Sequence, residues 1–343
     1  MRIGAGLDSR LGLPFDELRE AGREAVRLGF ESLWTPSGGV PDAFEVCAAW
    51  SMDAAVRTGI SVVPVARMWT PLALATQAAT VGVISGGRFV LGIGTGGYGP
   101  GFWASVGLPD RPIAVMRDYL TIVRGLLAGE TVNHDGPALQ EKNASLHHPG
   151  LPPVSIQLGA LGPQMVRLAG ELADGALLNW ATPERIAQSR QLVAQGAART
   201  GRDPAEVALT MYIRVCVDDD AAAARQALGR QVLSYAMGRP GIPPTSGYRG
   251  MFTQMGFGAV LSDLEQRQQQ GEHLDALVAD APDEMLSAVG YYGPADGAPA
   301  AYARLAEGLD ETMVRILTAR PGLEPVVAAM EALTPAKIRA AAG

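Results

Sequence analysis

The residues with the clearest chemical potential form a glycine-rich turn between two apolar runs, Gly159-Ala160-Leu161-Gly162. Pro163 follows the turn and suits the first turn of a helix, where its missing N–H is not needed. Glycines at this place leave backbone N–H groups open to an anion, which the helix dipole also favours. The turn therefore predicts a phosphate site. Every crossover between parallel strands also needs a tight turn, and that simpler interpretation stays open.

A second glycine cluster, Gly92-Ile93-Gly94-Thr95-Gly96-Gly97, follows another apolar run. It resembles a dinucleotide-binding fingerprint, but it leads into a long loop and no acidic residue follows at the usual distance. We interpret the glycines as positions where a flat ligand approaches the backbone, with Thr95 adding a hydroxyl donor to phosphate. A flexible loop base is the alternative.

Apolar runs of strand length alternate with amphipathic helical stripes, which predicts an α/β fold with parallel strands. The predicted strands cover residues 2–7, 30–34, 60–65, 88–94, 154–158, 176–180, 207–217 and 312–317. This alternation describes a (β/α)8 TIM barrel, and we expect residues 1–343 to form a single domain. The polar residues 131–153 predict a hairpin with Asn133-His134-Asp135-Gly136 as its turn. Residues 238–290 break the alternation and predict a helical insertion between strands seven and eight.

Composition argues against several classes of function. The 343 residues carry a net charge of −7, which disfavours nucleic acid as a partner. No apolar run approaches the roughly 18 residues of a membrane span, so we expect no membrane partner. Cys47 and Cys216 lie in apolar patterns and no signal peptide is visible, which favours the cytoplasm. No Cys/His cluster has metal-ligand spacing, and we expect no metal site.

The sequence of residues 88–96 and 158–180 resembles that of the bacterial luciferase-like superfamily. Residues 165–175 are the most specific part of the resemblance. Within it the chain is most similar to the branch that uses the deazaflavin coenzyme F420. That branch includes methylenetetrahydromethanopterin reductase and F420-dependent glucose-6-phosphate dehydrogenase. The resemblance covers residues 1–200 well, weakens over 200–290 and returns at 291–317.

The resemblance implies a set of cofactor contacts. The family has a non-proline cis peptide in strand three that supports the central ring of the cofactor, and Ser61-Val62 matches that dipeptide. Ser37 follows strand two on the cofactor side, while Asn179 and Trp180 would lie at the pocket rim after strand six. The family's phosphate contacts fall on Thr95, Gly96, Gly159, Ala160, Leu161 and Gly162.

The chain departs from the family where a proton would be moved. Related enzymes often carry Asp-His after strand two and Glu after strand four, where this sequence has Ser37-Gly38 and Gly97. The four histidines fall in the hairpin and the insertion, where solvated positions are expected. Asp8, after strand one, is the remaining candidate catalytic carboxylate, with capping of the next turn as its equal alternative. Arg67, after strand three, is a candidate clamp for an acidic group.

Other side chains have two interpretations each. Arg167 could add charge to the phosphate turn or lie on the surface. Four aromatic residues could line an apolar substrate pocket or belong to the core: Trp69, Tyr98, Phe102 and Trp103.

The resemblance implies an oxidoreductase in which C5 of coenzyme F420 exchanges a hydride with a small organic substrate. Two alternatives stay open. One is a reduced-FMN monooxygenase of the same fold, supplied by a separate cofactor reductase. The other is a flavin- or deazaflavin-binding protein without turnover, which the missing proton-handling residues would suit. Family members are usually dimers, and the alanine-rich second and third helices could pack against a second copy.

Overall fold

The computed structural model describes residues 1–96, 101–148, 150–239 and 241–343, with only the main chain at Arg67 and Met68. The strands of this part of the chain are β1 (Arg2–Gly6), β2 (Ser32–Thr35), β3 (Arg57–Pro64), β4 (Phe89–Gly94), β5 (Val132–Asp135), β6 (Gln140–Ala144), β7 (Ser155–Gly159), β8 (Gly175–Asn179), β9 (Ala208–Val217), β10 (Gly290–Gly293) and β11 (Glu311–Leu317).

The helices of the same part are α1 (Phe15–Arg27), α2 (Ala43–Asp53), α3 (Val65–Met68), α4 (Pro71–Ser85), α5 (Phe102–Ser105), α6 (Pro112–Leu127), α7 (Pro163–Leu172), α8 (Pro183–Ala198), α9 (Ala221–Ala236), α10 (Gly247–Phe252), α11 (Gly258–Gln269), α12 (Leu274–Asp280), α13 (Asp283–Ser287), α14 (Ala298–Leu305), α15 (Leu323–Ala332) and α16 (Pro335–Ala342). A π-helical turn, Thr253–Phe257, joins α10 to α11.

A closed parallel barrel organises the described chain. The sheet runs β10-β9-β11-β1-β2-β3-β4-β7-β8, and a further pairing of β9 with β8 closes it. Strand β10 lies outside the ring and extends β9 beyond the end of β8. The predicted TIM barrel is confirmed. Its inner layer of buried side chains comes from five different strands and consists of Trp34, Val90, Leu177, Tyr212 and Met313.

One local prediction needs correction, and one strand was not predicted. Residues 133–135 belong to β5, and the hairpin turns at Gly136, whose N–H donates to the Leu139 carbonyl. The predicted turn was wrong because the buried Asp118 accepts hydrogen bonds from the N–H groups of Ala138 and Leu139, which places the turn later. Strand β10 was not predicted, since two of its four residues are glycines that give no strand pattern.

The predicted insertion, residues 238–290, contains α10 to α13 and lies between β9 and β11. Its helices enclose a separate apolar cluster with α9. The division of the chain into domains stays a prediction. Among the described residues, no helix combines the length and apolar character needed to cross a bilayer.

The ladder between β3 and β4 is interrupted halfway. Ile60 pairs with Leu91, but the next pair is Val63 with Ile93, so Ser61 and Val62 together face a single residue, Gly92. A Cβ built on Gly92 would overlap the carbonyl oxygen of Ile60, and that atom belongs to the main chain. The extra residue of β3 therefore requires glycine at the opposing position of β4.

We expect Gly92→Ala to lower the free energy of unfolding by about 2–3 kcal/mol, because the Ile60 carbonyl cannot yield without breaking the ladder. Chemical denaturation followed by circular dichroism measures it. Gly162→Ala is the matched control, since a Cβ there meets no atom within 4 Å. An equal loss in both variants would contradict the interpretation.

Candidate functional site

The interruption of β3 lies at the barrel mouth, by which we mean the C-terminal ends of the barrel strands, where TIM-barrel active sites form. The Ser61–Val62 peptide bond is cis, as predicted. The Ser61 hydroxyl donates a hydrogen bond to the hydroxyl of Tyr212, which stands on β9 inside the barrel. Burial raises the pKa of Tyr212, so its phenol stays neutral. Ser61 is thereby held by a side chain from inside the barrel.

Val62 is enclosed by glycines of β4 and β7, the next two strands around the barrel. A Cβ on Gly94 would lie 2.9 Å from Val62 Cγ2, and one on Gly159 would lie 3.2 Å from Val62 Cγ1. The half-buried Val62 side chain therefore fills the space that side chains at both glycines would need. Around Val62 the mouth presents backbone rather than side chains, which suits close approach of a flat ligand.

The turn before α7 has the geometry of an anion site. Gly162 occupies the N-cap position, and no side chain caps the helix. A cavity of about 310 Å³ adjoins the turn and is lined in part by Leu161, Gly162 and Arg185. The Arg185 guanidinium donates to the Leu161 carbonyl at 2.8 Å, which places a positive charge beside the turn. Helix dipole and guanidinium both favour a negative ligand group here.

Two predicted phosphate contacts are already engaged within the protein. The Ala160 N–H donates to the Leu177 carbonyl at 3.0 Å, so this N–H is not available to a phosphate, and contact of Ala160 with the cofactor stays a prediction. The Thr95 hydroxyl donates to the carbonyl of Gly96 at 3.0 Å. Gly96 itself has φ of 80°, a conformation that favours glycine. Gly97 and Tyr98 lie outside the described residues.

Ser37 lies in the loop that follows β2 at the mouth. Its hydroxyl oxygen is buried without a hydrogen-bond partner among the described residues. Such a group is a ready contact for a bound polar ligand. The other polar position, Arg67, has a main chain in α3, and its side chain lies outside the described part.

Asp8 makes the contacts of a cap and a buried ion pair. Its carboxylate accepts a hydrogen bond from the Arg10 N–H at 2.9 Å and pairs with the guanidinium of Arg315. Both charged side chains are 3% exposed. These contacts match the capping interpretation, and the proton-transfer role of Asp8 stays a prediction without structural support.

Asn179 lies at the end of β8 as expected. Trp180 is buried, packs with the apolar cluster of α9 and the insertion, and contacts Tyr235 of α9; its place at the pocket rim stays a prediction. Asn179 stays half-buried. Its amide accepts from Arg214 at 2.7 Å and donates to Tyr248 of the insertion at 2.8 Å.

The side chains with two interpretations are now placed. Trp69 and Trp103 both pack against the main core, and Trp69 also contacts Phe44 at a ring distance of 5.2 Å. Phe102 contacts Trp103 at 5.6 Å. Arg167 bonds Gln195 on α8, so it has the surface role. In the described part of the chain, no group of three or more His, Cys, Asp or Glu could hold a metal ion.

The sequence analysis missed Tyr212, Arg214, Arg185 and Tyr248. A signal existed for the first two. Residues two apart on a strand face the same side, so an inward Tyr212 implies an inward Arg214 one layer nearer the mouth. No sequence signal indicated Arg185 or Tyr248, because each reaches the mouth from outside the barrel strands.

The profile of the luciferase-like monooxygenase family matches residues 2–315. The chain belongs to this family. A 5,10-methylenetetrahydromethanopterin reductase of Methanolobus tindarius is 28% identical over 310 residues, covering 87% of this chain and 88% of the relative. An F420-dependent glucose-6-phosphate dehydrogenase of Microbacterium testaceum is 30% identical over 219 residues, covering 60% of this chain and 65% of the relative.

The family fold is also seen in a solved structure. The coenzyme F420-dependent tetrahydromethanopterin reductase of Methanopyrus kandleri superimposes with a TM-score of 0.77 at 19% identity, covering 98% of this chain and 99% of that one. The fold and the family membership agree, and the chain is an oxidoreductase of the luciferase-like family.

The two interpretations of Asp8 make different predictions. Asp8→Asn keeps the capping oxygen but leaves Arg315 buried without a carboxylate, so we expect the free energy of unfolding to fall by about 3 kcal/mol. Asp8→Asn/Arg315→Met removes both charges and should recover most of the loss. Urea denaturation measures all three proteins. Parent-like stability with loss of turnover in Asp8→Asn would instead favour proton transfer.

Proposed function

We propose that this chain is a coenzyme F420-dependent oxidoreductase that transfers a hydride between the deazaflavin C5 and a small organic substrate. The observation that carries the proposal is the backbone surface at the mouth, where the Ser61–Val62 cis peptide stands between Gly94 and Gly159. This surface and the uncapped start of α7 fit the two parts of such a cofactor, a flat ring and a negatively charged tail.

The relatives support the choice of cofactor. Both a glucose-6-phosphate dehydrogenase among them and the tetrahydromethanopterin reductase of matching fold are named as F420-dependent. The redox chemistry would come from the bound deazaflavin. The contribution of the chain is to bind, to orient and to exclude water.

Each contribution has named residues. The N–H groups of Leu161 and Gly162, with Arg185 beside them, would bind the phosphate. Val62 would support the ring, and the hydrogen bond from Ser61 to Tyr212 would keep the peptide in place. The buried hydroxyl of Ser37, in the loop after β2, would hydrogen-bond the ring edge.

Gly162→Asp separates a ligand-binding role of the α7 start from a structural one. Aspartate at an N-cap stabilises a helix, so we expect the free energy of unfolding to stay equal or rise by up to about 1 kcal/mol. The same carboxylate would repel a phosphate, and F420 affinity should fall at least about tenfold. Titration of cofactor absorbance and fluorescence measures affinity, with Gly162→Ala as the uncharged control.

The same titration with FMN tests the alternative cofactor. Binding of FMN without binding of F420 would contradict the proposal and favour a reduced-FMN monooxygenase with a separate reductase. Binding of F420 without any hydride exchange over a panel of alcohols, carbonyls, imines and enones would favour a binding protein without turnover.

We also propose that the chain forms a homodimer through α4 and α2. The outward face of α4 carries no charged residue and includes Leu72, Ala73, Thr76, Thr80, Val83 and Ile84. Val83 is 51% exposed, and Met52 of α2 is 72% exposed. An uncharged, partly apolar helix face of this kind is typical of a buried interface.

Val83→Glu should convert the dimer to a monomer, because two carboxylates would be buried across a symmetric contact. Light scattering coupled to size-exclusion chromatography measures the mass. Val40→Glu is the matched control, since Val40 is 94% exposed and lies off this face. A dimer that persists in Val83→Glu would place the interface elsewhere.

A further inference from the structure

Arg214 is a buried cation without a carboxylate. Three arginines in the described chain are almost fully buried, and two of them are ion-paired: Arg315 with Asp8, and Arg249 with Glu265. Arg214 is 1% exposed, and no described carboxylate lies within ion-pairing distance. Burial lowers its pKa. A buried guanidinium needs a compensating partner, and the described residues supply only a neutral hydrogen-bond acceptor.

The neutral partner is the Asn179 side-chain oxygen, 2.7 Å from Arg214 Nη1. Aromatic rings hold the rest of the guanidinium, whose carbon lies 3.7 Å from the Trp180 ring centre and 5.3 Å from that of Tyr235. Tyr235 in turn contacts Tyr248 edge to face at 4.9 Å. These rings fix the guanidinium without neutralising it.

Hydrogen-bond donors in this cluster outnumber acceptors. Arg214 Nε and Trp180 Nε1 are buried and have no partner among the described residues. The Tyr248 oxygen accepts from Asn179, which leaves its own hydrogen to be donated. Trp180 also has φ of 56°, a left-handed conformation that is rare for a large side chain and is often found at functional sites. These unpartnered donors and the buried cation together favour an acceptor with negative charge.

The cluster adjoins the proposed cofactor surface. Arg214 stands one inward layer above Tyr212, and Tyr212 bonds Ser61 of the cis peptide. Leu161 of the phosphate turn packs against the apolar cluster that includes Trp180. Asn179, Tyr235 and Tyr248 are half-buried, so the cluster around the buried guanidinium has partly exposed members.

We propose that Arg214, Asn179 and Tyr248 bind the carboxylate of the substrate, which makes the substrate class an organic monocarboxylate; this rests on the proposed function. One cation surrounded by neutral donors matches one negative charge. A planar carboxylate also suits the edge of a stacked guanidinium. The aromatic walls favour an apolar skeleton attached to the carboxylate.

The test is direct binding to the full chain without cofactor. Calorimetry or ligand-observed NMR compares benzoate with benzamide, its neutral counterpart, and with phenyl phosphate. We expect benzoate to bind, benzamide to bind at least about tenfold more weakly, and phenyl phosphate to bind no more tightly than benzoate. Tighter binding of phenyl phosphate would overturn the carboxylate assignment, and equal binding of benzamide would overturn an anion site altogether.

Variants locate the site. Arg214→Met should weaken benzoate about 10- to 100-fold and Tyr248→Phe several-fold, whereas Arg230→Met, an exposed arginine on α9, should change nothing. Arg214→Met should fold with an unchanged or higher melting temperature, because an uncompensated charge is removed. If it does not fold, Tyr248→Phe decides alone, since it keeps the ring. Benzoate affinity that survives both changes would refute the assignment.

A measurement of cofactor binding separates this inference from the proposed function. Arg214→Met should keep F420 affinity within about threefold of the parent, since the tail is assigned to α7. A large loss of F420 affinity with unchanged benzoate binding would assign the cation to the cofactor and overturn the inference. Failure of the parent to bind F420 would count against the proposed function alone, because the benzoate measurements contain no cofactor.

Discussion

The contact that the mouth depends on is the meeting of Gly92 with the Ile60 carbonyl across the interrupted ladder of β3 and β4. It allows β3 to carry one residue more than its partner, at Ser61 and Val62. Gly159 of the next strand must then stay bare beside Val62. Tyr212, from the opposite side of the barrel, fixes Ser61. Residues of four strands, β3, β4, β7 and β9, are thus constrained by the interrupted ladder.

The mouth contains one buried arginine that is ion-paired and one that is not. Arg315 and Asp8 neutralise each other in the barrel wall, and burying both is tolerable only because they do. Arg214, on the neighbouring strand β9, has an amide and aromatic rings instead. In a chain with net charge −7, the mouth therefore keeps a local positive charge. Its low-dielectric surroundings strengthen any interaction with an anion.

Sequence patterns captured what is local. Strand and helix alternation predicted the barrel, and the resemblance carried by residues 88–96 and 158–180 implied the cis peptide at Ser61-Val62. The patterns could not show contacts between distant residues. Ser61 and Tyr212 lie 151 positions apart, and Asp8 and Arg315 lie 307 apart. One local prediction, the hairpin turn, was wrong, and the Ala160 N–H is engaged within the protein. Acceptors from other elements, Asp118 and the Leu177 carbonyl, decide both.

The insertion explains why the substrate side of the mouth was least predictable. Two of its residues reach the mouth: Tyr248 accepts a hydrogen bond from Asn179, and Gln254 accepts one from Arg185 at 3.2 Å. One contact adjoins the unpaired Arg214, and the other adjoins the turn proposed to bind phosphate. Neither involves β3, which carries the surface proposed to support the cofactor ring. A change in the insertion can therefore alter the residues proposed to bind the substrate, while the surface proposed to support the cofactor ring stays the same.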